Sequence, residues 1–260
     1  MIEWGYAAAG LFVGLLVGLT GVGGGSLMTP VLIFLFHVNP AIAVGTDLLF
    51  AAITKASGIW VHNRKKNIEW PIVALLALGS LPMAFVSLAI IENFKAETDT
   101  LSTLIQVLLG VALVLTAISL IMRKPLHRFG EKMKQMIPSW RQKRPLVTVL
   151  AGAMLGVLVP ITSVGAGALG AAILMFLYPS IPTRRIVGTD LAHAVPLTLI
   201  AGLGHLQIGT VDLALLLALL VGSLPGIYIG SHMSTVVPER IMRPLLASLL
   251  LLIGVKFMVA

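Results

Sequence analysis

Apolar residues run along the chain in long blocks separated by short polar stretches. The first block covers residues 5–36, too long for one ordinary span, and is interrupted by Gly21-Val22-Gly23-Gly24-Gly25. Blocks at 41–61, 70–91 and 101–122 follow, each near the ~20 residues a helix needs to cross the hydrocarbon of a bilayer. A polar stretch occupies 123–145, and then the order recurs: a glycine-interrupted block at 146–178, followed by 186–204, 213–232 and 244–259. The pattern predicts an all-α, polytopic integral membrane protein with a transmembrane repeat at 1–122, a basic cytoplasmic connector at 123–145 and a second repeat at 146–260.

The recurrence is legible residue by residue. Gly14 and Thr20-Gly21-Val22-Gly23-Gly24-Gly25 match Gly156 and Thr162-Ser163-Val164-Gly165-Ala166-Gly167, an offset of 142, which also carries Pro40 onto Pro182. One extra residue then shifts the offset to 143. There Val44-Gly45-Thr46-Asp47-Leu48 matches Val187-Gly188-Thr189-Asp190-Leu191, His62 and Glu69 fall on His205 and Asp212, and Gly79-Ser80-Leu81-Pro82 falls on Gly222-Ser223-Leu224-Pro225. Chance does not supply several such matches in order with a single shift, so the chain is read as an internal duplication.

Composition agrees with a membrane setting. Of 260 residues, 58% are hydrophobic and 11% charged, whereas soluble domains carry roughly a quarter charged residues. The absence of cysteine excludes disulfides, thiolate metal sites and cysteine nucleophiles. A net charge of +8 raises nucleic-acid binding, but the basic residues sit in short loops between apolar blocks, where membrane proteins carry orientation signals. No nucleic-acid partner is expected. Met1-Ile2-Glu3-Trp4 lacks the basic start of a cleaved leader, so the first apolar block is expected to remain.

Charge also orients the halves. The connector holds eight Lys/Arg against the single acid Glu131, and Arg64-Lys65-Lys66 is basic too, whereas 92–100 carries three acids and one lysine. If basic loops face the cytoplasm, then Arg184-Arg185 and Arg240/Arg243 join them only if the second half is inverted. Two inverted repeats with both termini outside the cell (inner) membrane are therefore expected.

Each glycine break is expected to divide its block into two half-helices that meet inside the protein, because unwound backbone is tolerated at membrane depth only where it is buried or lines a cavity. The N–H groups freed at the new helix start carry partial positive charge and suit an anion. Ser26, Thr162 and Ser163 add hydroxyl donors. The spaced glycines Gly10, Gly14 and Gly18, Gly152 and Gly156, and Gly222, Gly226 and Gly230 are read instead as close helix packing.

Ionisable residues inside the blocks mark function or satisfy helix ends. Asp47 and Asp190 each follow Gly-Thr near a span start, which fits a cavity-facing acid and equally a helix N-terminal residue. Lys55 lies eight residues after Asp47 on nearly the same face, and its counterpart is Thr198. A midspan lysine suits anion attraction or a charge pair. His193, one turn after Asp190 and aligned with Phe50, could carry a proton or sit hydrogen-bonded in the core. His62 and His205 are expected at the interface. The His and Asp spacings bring no three ligands together, so no metal and no cofactor is expected. No nucleophile elbow, Walker loop or dinucleotide fingerprint is present, leaving gradient-driven transport or a channel.

At these residues the chain resembles the sulfite exporter (TauE/SafE-type) family of membrane permeases. The resemblance covers almost the whole chain and rests on Gly21-Val22-Gly23-Gly24-Gly25-Ser26-Leu27 with Pro30, the two Val-Gly-Thr-Asp-Leu segments, His62 through Trp70, and the two Gly-Ser-Leu-Pro segments. It implies a permease for a small sulfur-containing anion, with sulfite one member of that class. The expected substrate-binding set is Gly21, Val22, Gly23, Gly24, Gly25, Ser26, Thr46, Lys55, Thr162, Ser163, Val164, Gly165, Ala166, Gly167 and Thr189. Asp47, Asp190 and His193 are expected to couple protons or ions. The expected partners are a small anionic substrate and the lipid bilayer, with homo-oligomerisation left open. A passive channel and a membrane enzyme or assembly subunit remain the competing classes.

Overall fold

The computed structural model describes residues 4–20, 27–94, 98–136, 139–233 and 239–259. Eleven helices are described: α1 (Trp4–Thr20), α2 (Met28–Phe36), α3 (Pro40–Arg64), α4 (Trp70–Asn93), α5 (Thr98–Ile121), α6 (Arg123–Met136), α7 (Trp140–Thr162), α8 (Ala168–Leu177), α9 (Thr183–Ile208), α10 (Leu213–Met233) and α11 (Glu239–Val259). No strand occurs among the described residues. Seven of the helices, α3, α4, α5, α7, α9, α10 and α11, are long and apolar enough to cross a membrane.

The glycine-interrupted blocks are helical hairpins with unequal limbs. In the second, α7 has 23 residues and α8 only 10, because α7 starts in the polar stretch at Trp140. The two limbs return to the same end: Thr148 Oγ1 and Tyr178 Oη share a hydrogen bond of 2.8 Å, and the rings of Trp140 and Phe176 stand 6.0 Å apart. The first hairpin is alike, with α1 of 17 residues, α2 of 9, and the rings of Tyr6 and Phe36 4.8 Å apart. Each pair thus enters and leaves by one face, and only the second limb is a half-helix.

The connector contains α6, whose half-buried Met133 packs on the cluster formed by Trp140, Leu174 and Tyr178. It straps the C-terminal end of α8. Phe129 stacks on Phe176 at 5.8 Å, His127 Nε2 donates to Pro179 O at 2.8 Å, and Lys134 Nζ donates to Ser180 Oγ at 2.9 Å.

The halves interlock, the eight long helices α1, α3, α4, α5, α7, α9, α10 and α11 each packing most against a helix of the other half. α1 lies along α10 and α7 along α4, while α3 faces α9 and α5 faces α11. Glycine sets the approach. Gly10, Gly14 and Gly18 meet the backbone at Leu219, Ser223 and Ile227, and Gly152 and Gly156 meet Leu76 and Ser80 in the same register, so both pairs run parallel. A Cβ at any of these glycines would collide with backbone, as expected of small-residue seams in membrane helices. α3 and α9 run antiparallel: Gly45 packs on His205 and Thr210, Gly202 on Leu49, Gly58 on Leu191 and Gly188 on His62. The duplication persists in single bonds. Thr46 Oγ1 accepts the Asp212 N–H at 3.1 Å, and Thr189 Oγ1 accepts the Glu69 N–H at 2.9 Å.

Candidate functional site

The second break is built by three residues with positive φ. Ser163 ends α7 at φ 58°, and Gly165 and Gly167 follow at 115° and 139°, angles that side chains bearing a Cβ rarely adopt. Thr162 Oγ1 steadies the bend, donating to Leu158 O at 2.7 Å and accepting the Val164 N–H at 3.1 Å. The chain re-enters a helix at Ala168, and the N–H groups of 165–169 donate no hydrogen bond among the described residues. Unpaired donors at a helix start leave a partial positive charge. The break is buried at 162–166.

Three ionisable side chains converge on it. Lys55 is 6% exposed, and its Nζ donates to Ala166 O at 2.9 Å, tying α3 to the break. Asp47 and Asp190 both act electrostatically on Lys55. Asp47 has no exposed surface; its Oδ2 accepts the Thr29 hydroxyl at 2.6 Å while Oδ1 has no hydrogen-bond partner. Ser163 Oγ lies near that carboxylate and is likewise unpartnered. Asp190 is 4% exposed, its Oδ1 has no partner, and a Cβ on Gly170, in the first turn of α8, would collide with it. Buried polar atoms normally find partners. Several orphaned acceptors and donors around one lysine mark a place prepared for something polar.

A cavity of about 310 Å³ leads to this cluster. Gly167 and Ala168 at the start of α8 line its floor with Lys55 and Asp190, and Arg123, Arg184 and Arg243 line the rest. Arg184 is exposed, so the cavity opens at the end of the molecule that carries it. Among the described lining residues four cations stand against one carboxylate, a balance attractive to anions.

The cavity takes in some of the residues expected from sequence and leaves others elsewhere. Lys55, Asp190 and Gly167 line it; Asp47, Ser163 and Ala166 lie behind it through the contacts above; Thr162, Val164 and Gly165 shape the bend. Gly21, Val22, Gly23, Gly24, Gly25 and Ser26 lie outside the described residues. Thr46 and Thr189 are buried and engaged in the bonds that tie α3 to the start of α10 and α9 to the start of α4. His193 is buried with Nε2 at 2.8 Å from Ser80 Oγ and Nδ1 unpartnered. His205, expected at the interface, is fully buried and bridges Pro160 O at 2.9 Å and Thr210 Oγ1 at 2.7 Å. A polar tether between α9 and the last turn of α7 explains its depth.

Sequence reasoning missed several contributors. Arg123, Arg184 and Arg243 counted only as orientation signals, although their convergence on one end was itself the clue to a cationic mouth. Thr29 went unnoticed in the short limb after the first break. Ser80 carries no signal beyond the repeat itself, and Gly170, which falls on Met28 in the other half, carries none.

The family model for sulfite exporter TauE/SafE matches residues 6–257. The chain is 43% identical over 247 residues to the probable membrane transporter protein YjnA of Bacillus subtilis (strain 168), covering 95% of this chain and 96% of that one. The probable membrane transporter protein YdhB of the same organism is 26% identical over 250 residues, covering 92% and 96%. The probable membrane transporter protein MJ0441 of Methanocaldococcus jannaschii is 25% identical over 260 residues, covering 94% and 91%. No solved structure matches. With its multi-pass helical fold and a match along nearly its whole length, the chain belongs to the sulfite exporter TauE/SafE family and is a membrane transporter.

Proposed function

We propose that the protein exports a small anion, sulfite or an organosulfur anion such as a sulfonate, across the cell (inner) membrane by alternating access between two inverted halves. The observation that carries this reading is the cationic cavity ending at the unpaired N–H groups of α8 beside Lys55. Antiparallel pairing of α3 with its repeat counterpart α9 fits a two-fold axis lying in the membrane plane. The lining of one cavity by Arg123, Arg184 and Arg243 gathers the basic segments at one end, the cytoplasmic one by the charge rule, which leaves both termini outside.

Lys55 neutralises only one of its two carboxylates. An arriving anion is held best when the other carries a proton, so Asp47 and Asp190 link anion movement to proton movement, with His193 one helical turn from Asp190 as a further carrier. Flux of sulfite, sulfate, methanesulfonate and taurine into proteoliposomes tests the proposal. Wild-type protein moves at least one of them, and Lys55→Ala and Gly24→Val abolish that movement while the protein still expresses and folds. Full flux in both variants removes the site assignment; no flux of any anion by folded wild-type protein favours an enzyme or assembly subunit. A current reversing at the anion's Nernst potential without proton dependence identifies a channel.

A further inference from the structure

The cationic cavity has a counterpart position in the first half of the chain, and there the protein is closed. Val187 and Leu191, half-buried at the cavity, correspond to Val44 and Leu48, which have no exposed surface. Ala171 corresponds to Thr29 and His62 to His205, and again the cavity member is half-buried while its counterpart is fully buried. Exposed Arg184 corresponds to buried Ala41. All five differences have the same sign. They describe two copies of one unit in two conformations, one parted and one shut.

The shut copy is held by a specific bond. Thr29 on α2 donates to Asp47 on α3 at 2.6 Å. In the parted copy the position of Thr29 is taken by Ala171, which has no hydroxyl, and the Asp190 Oδ1 is unpartnered. Chemistry differs as well as shape. The counterpart of Lys55 is Thr198 and that of Arg184 is Ala41, so the closed position offers hydroxyls and an imidazole where the open one offers cations.

We propose that Thr29, Val44, Asp47, Leu48, Thr198 and His205 line a second vestibule on the opposite face, a release site for the same anion, opened when α2 parts from α3 and latched shut by the Thr29–Asp47 hydrogen bond. The proposal rests on the transport reading above. A conformation that one repeat adopts is open to its copy, and exchange of the two conformations moves access from one face to the other. An anion leaving Lys55 toward this vestibule meets no further cation among these residues, so it is held weakly and departs.

The natural chain has no cysteine, so single cysteines report cleanly. Val44→Cys, Leu48→Cys, Val187→Cys and Leu191→Cys are placed one at a time in oriented proteoliposomes and exposed to a membrane-impermeant thiol reagent from either face. Positions 187 and 191 react from the basic face; positions 44 and 48 react slowly and only from the other. Adding Thr29→Val removes one hydrogen bond to a carboxylate and raises the rates at 44 and 48 about tenfold, while those at 187 and 191 fall. Thr29→Ser keeps the hydroxyl and returns the original rates, which separates loss of the latch from damage to the fold. Reaction of 44 or 48 from the basic face overturns the proposal, as does equal reaction at all four positions or rates unmoved by Thr29→Val. Methanesulfonate and sulfate flux in the same vesicles distinguishes the two readings. Flux with the wrong labelling pattern removes the vestibule alone, and the expected pattern without flux of any anion removes the transport assignment.

Discussion

A methyl group at Gly156 tests both the packing and the chemistry. A Cβ there would stand 2.7 Å from Ser80 Cα, where ordinary contact begins at 3.4 Å. The carbonyl oxygen of Ser80 stands closer still, so relief requires α4 and α7 to separate by roughly 1 Å, overpacking that costs about 1–3 kcal/mol. A cost of about 2 kcal/mol lowers Tm by about 4–8 °C in a chain of this size. Gly14→Ala makes the same insertion in the α1–α10 seam, where the Cβ would stand 2.8 Å from Ser223 Cα, so its thermal penalty is the same. Function separates the two. Ser80 Oγ holds His193 Nε2 at 2.8 Å, whereas Ser223 Oγ reaches only Leu220 O of its own helix, at 3.4 Å, and the counterpart of His193 is Phe50. Displacement of Ser80 at this seam disturbs the serine–histidine bond, and a shift of roughly 0.7 Å along it already passes useful hydrogen-bond length. Intrinsic tryptophan fluorescence in detergent reads Tm, and anion uptake by proteoliposomes reads function. Similar melting losses are expected, with uptake impaired in Gly156→Ala and retained in Gly14→Ala. An unchanged Tm for Gly156→Ala refutes the packing argument; equal uptake by the two variants removes His193 from the mechanism.

Other substitutions grade the site. Lys55→Met removes a charge worth about 4 kcal/mol to an anion 4 Å away at an effective dielectric constant of 20, so anion affinity in a binding titration falls by up to about 1000-fold. Arg184→Gln, at the exposed mouth, lowers uptake only a few-fold, and the difference shrinks in salt, as for screened surface charges. Thr46→Val and Thr189→Val each lose a bond that joins the halves, costing about 1 kcal/mol of stability, seen as a lower melting temperature with unchanged anion affinity. Gly167→Ala meets a φ of 139°, strain of about 1–3 kcal/mol, and displaces the start of α8; anion binding is lost before folding is.

Hydropathy exposed the spans because lipid demands long apolar helices, and the duplication was legible because helix crossings need glycine at fixed registers. Gly10, Gly14, Gly152 and Gly156 bear that out. The hairpin geometry was less legible. Nothing in the pattern says that α7 starts at Trp140, since Arg141, Lys143 and Arg144 read as connector although a helix carries them readily at its interfacial end. Thr46 and Thr189 illustrate a different limit: a threonine beside a buried aspartate suggests substrate binding, yet backbone N–H groups from the other half had prior claim on both hydroxyls. Such long-range partners, 166 and 120 residues away, leave no local trace.

The scaffold is duplicated more faithfully than the chemistry. Thr46 and Thr189, or Gly14 and Gly156, make equivalent contacts, while Lys55 faces Thr198 and His193 faces Phe50 across the repeat. A single lysine therefore serves two carboxylates, and this stoichiometry has an electrical consequence. A monovalent anion moving alone carries one charge, and a potential of 100 mV contributes about 2.3 kcal/mol, a limiting accumulation of about 50-fold. If one of Asp47 and Asp190 brings a proton along, the pair is neutral and the potential contributes nothing, whereas a pH gradient does. Proteoliposomes clamped with a potassium gradient and valinomycin distinguish the cases for methanesulfonate, a monovalent anion across the neutral range. Accumulation is expected to follow the pH gradient and ignore the potential, and Asp47→Asn or Asp190→Asn is expected to reverse that preference. Accumulation that tracks voltage in the wild type shows the anion travelling alone, and the carboxylates then hold Lys55 in place without carrying protons.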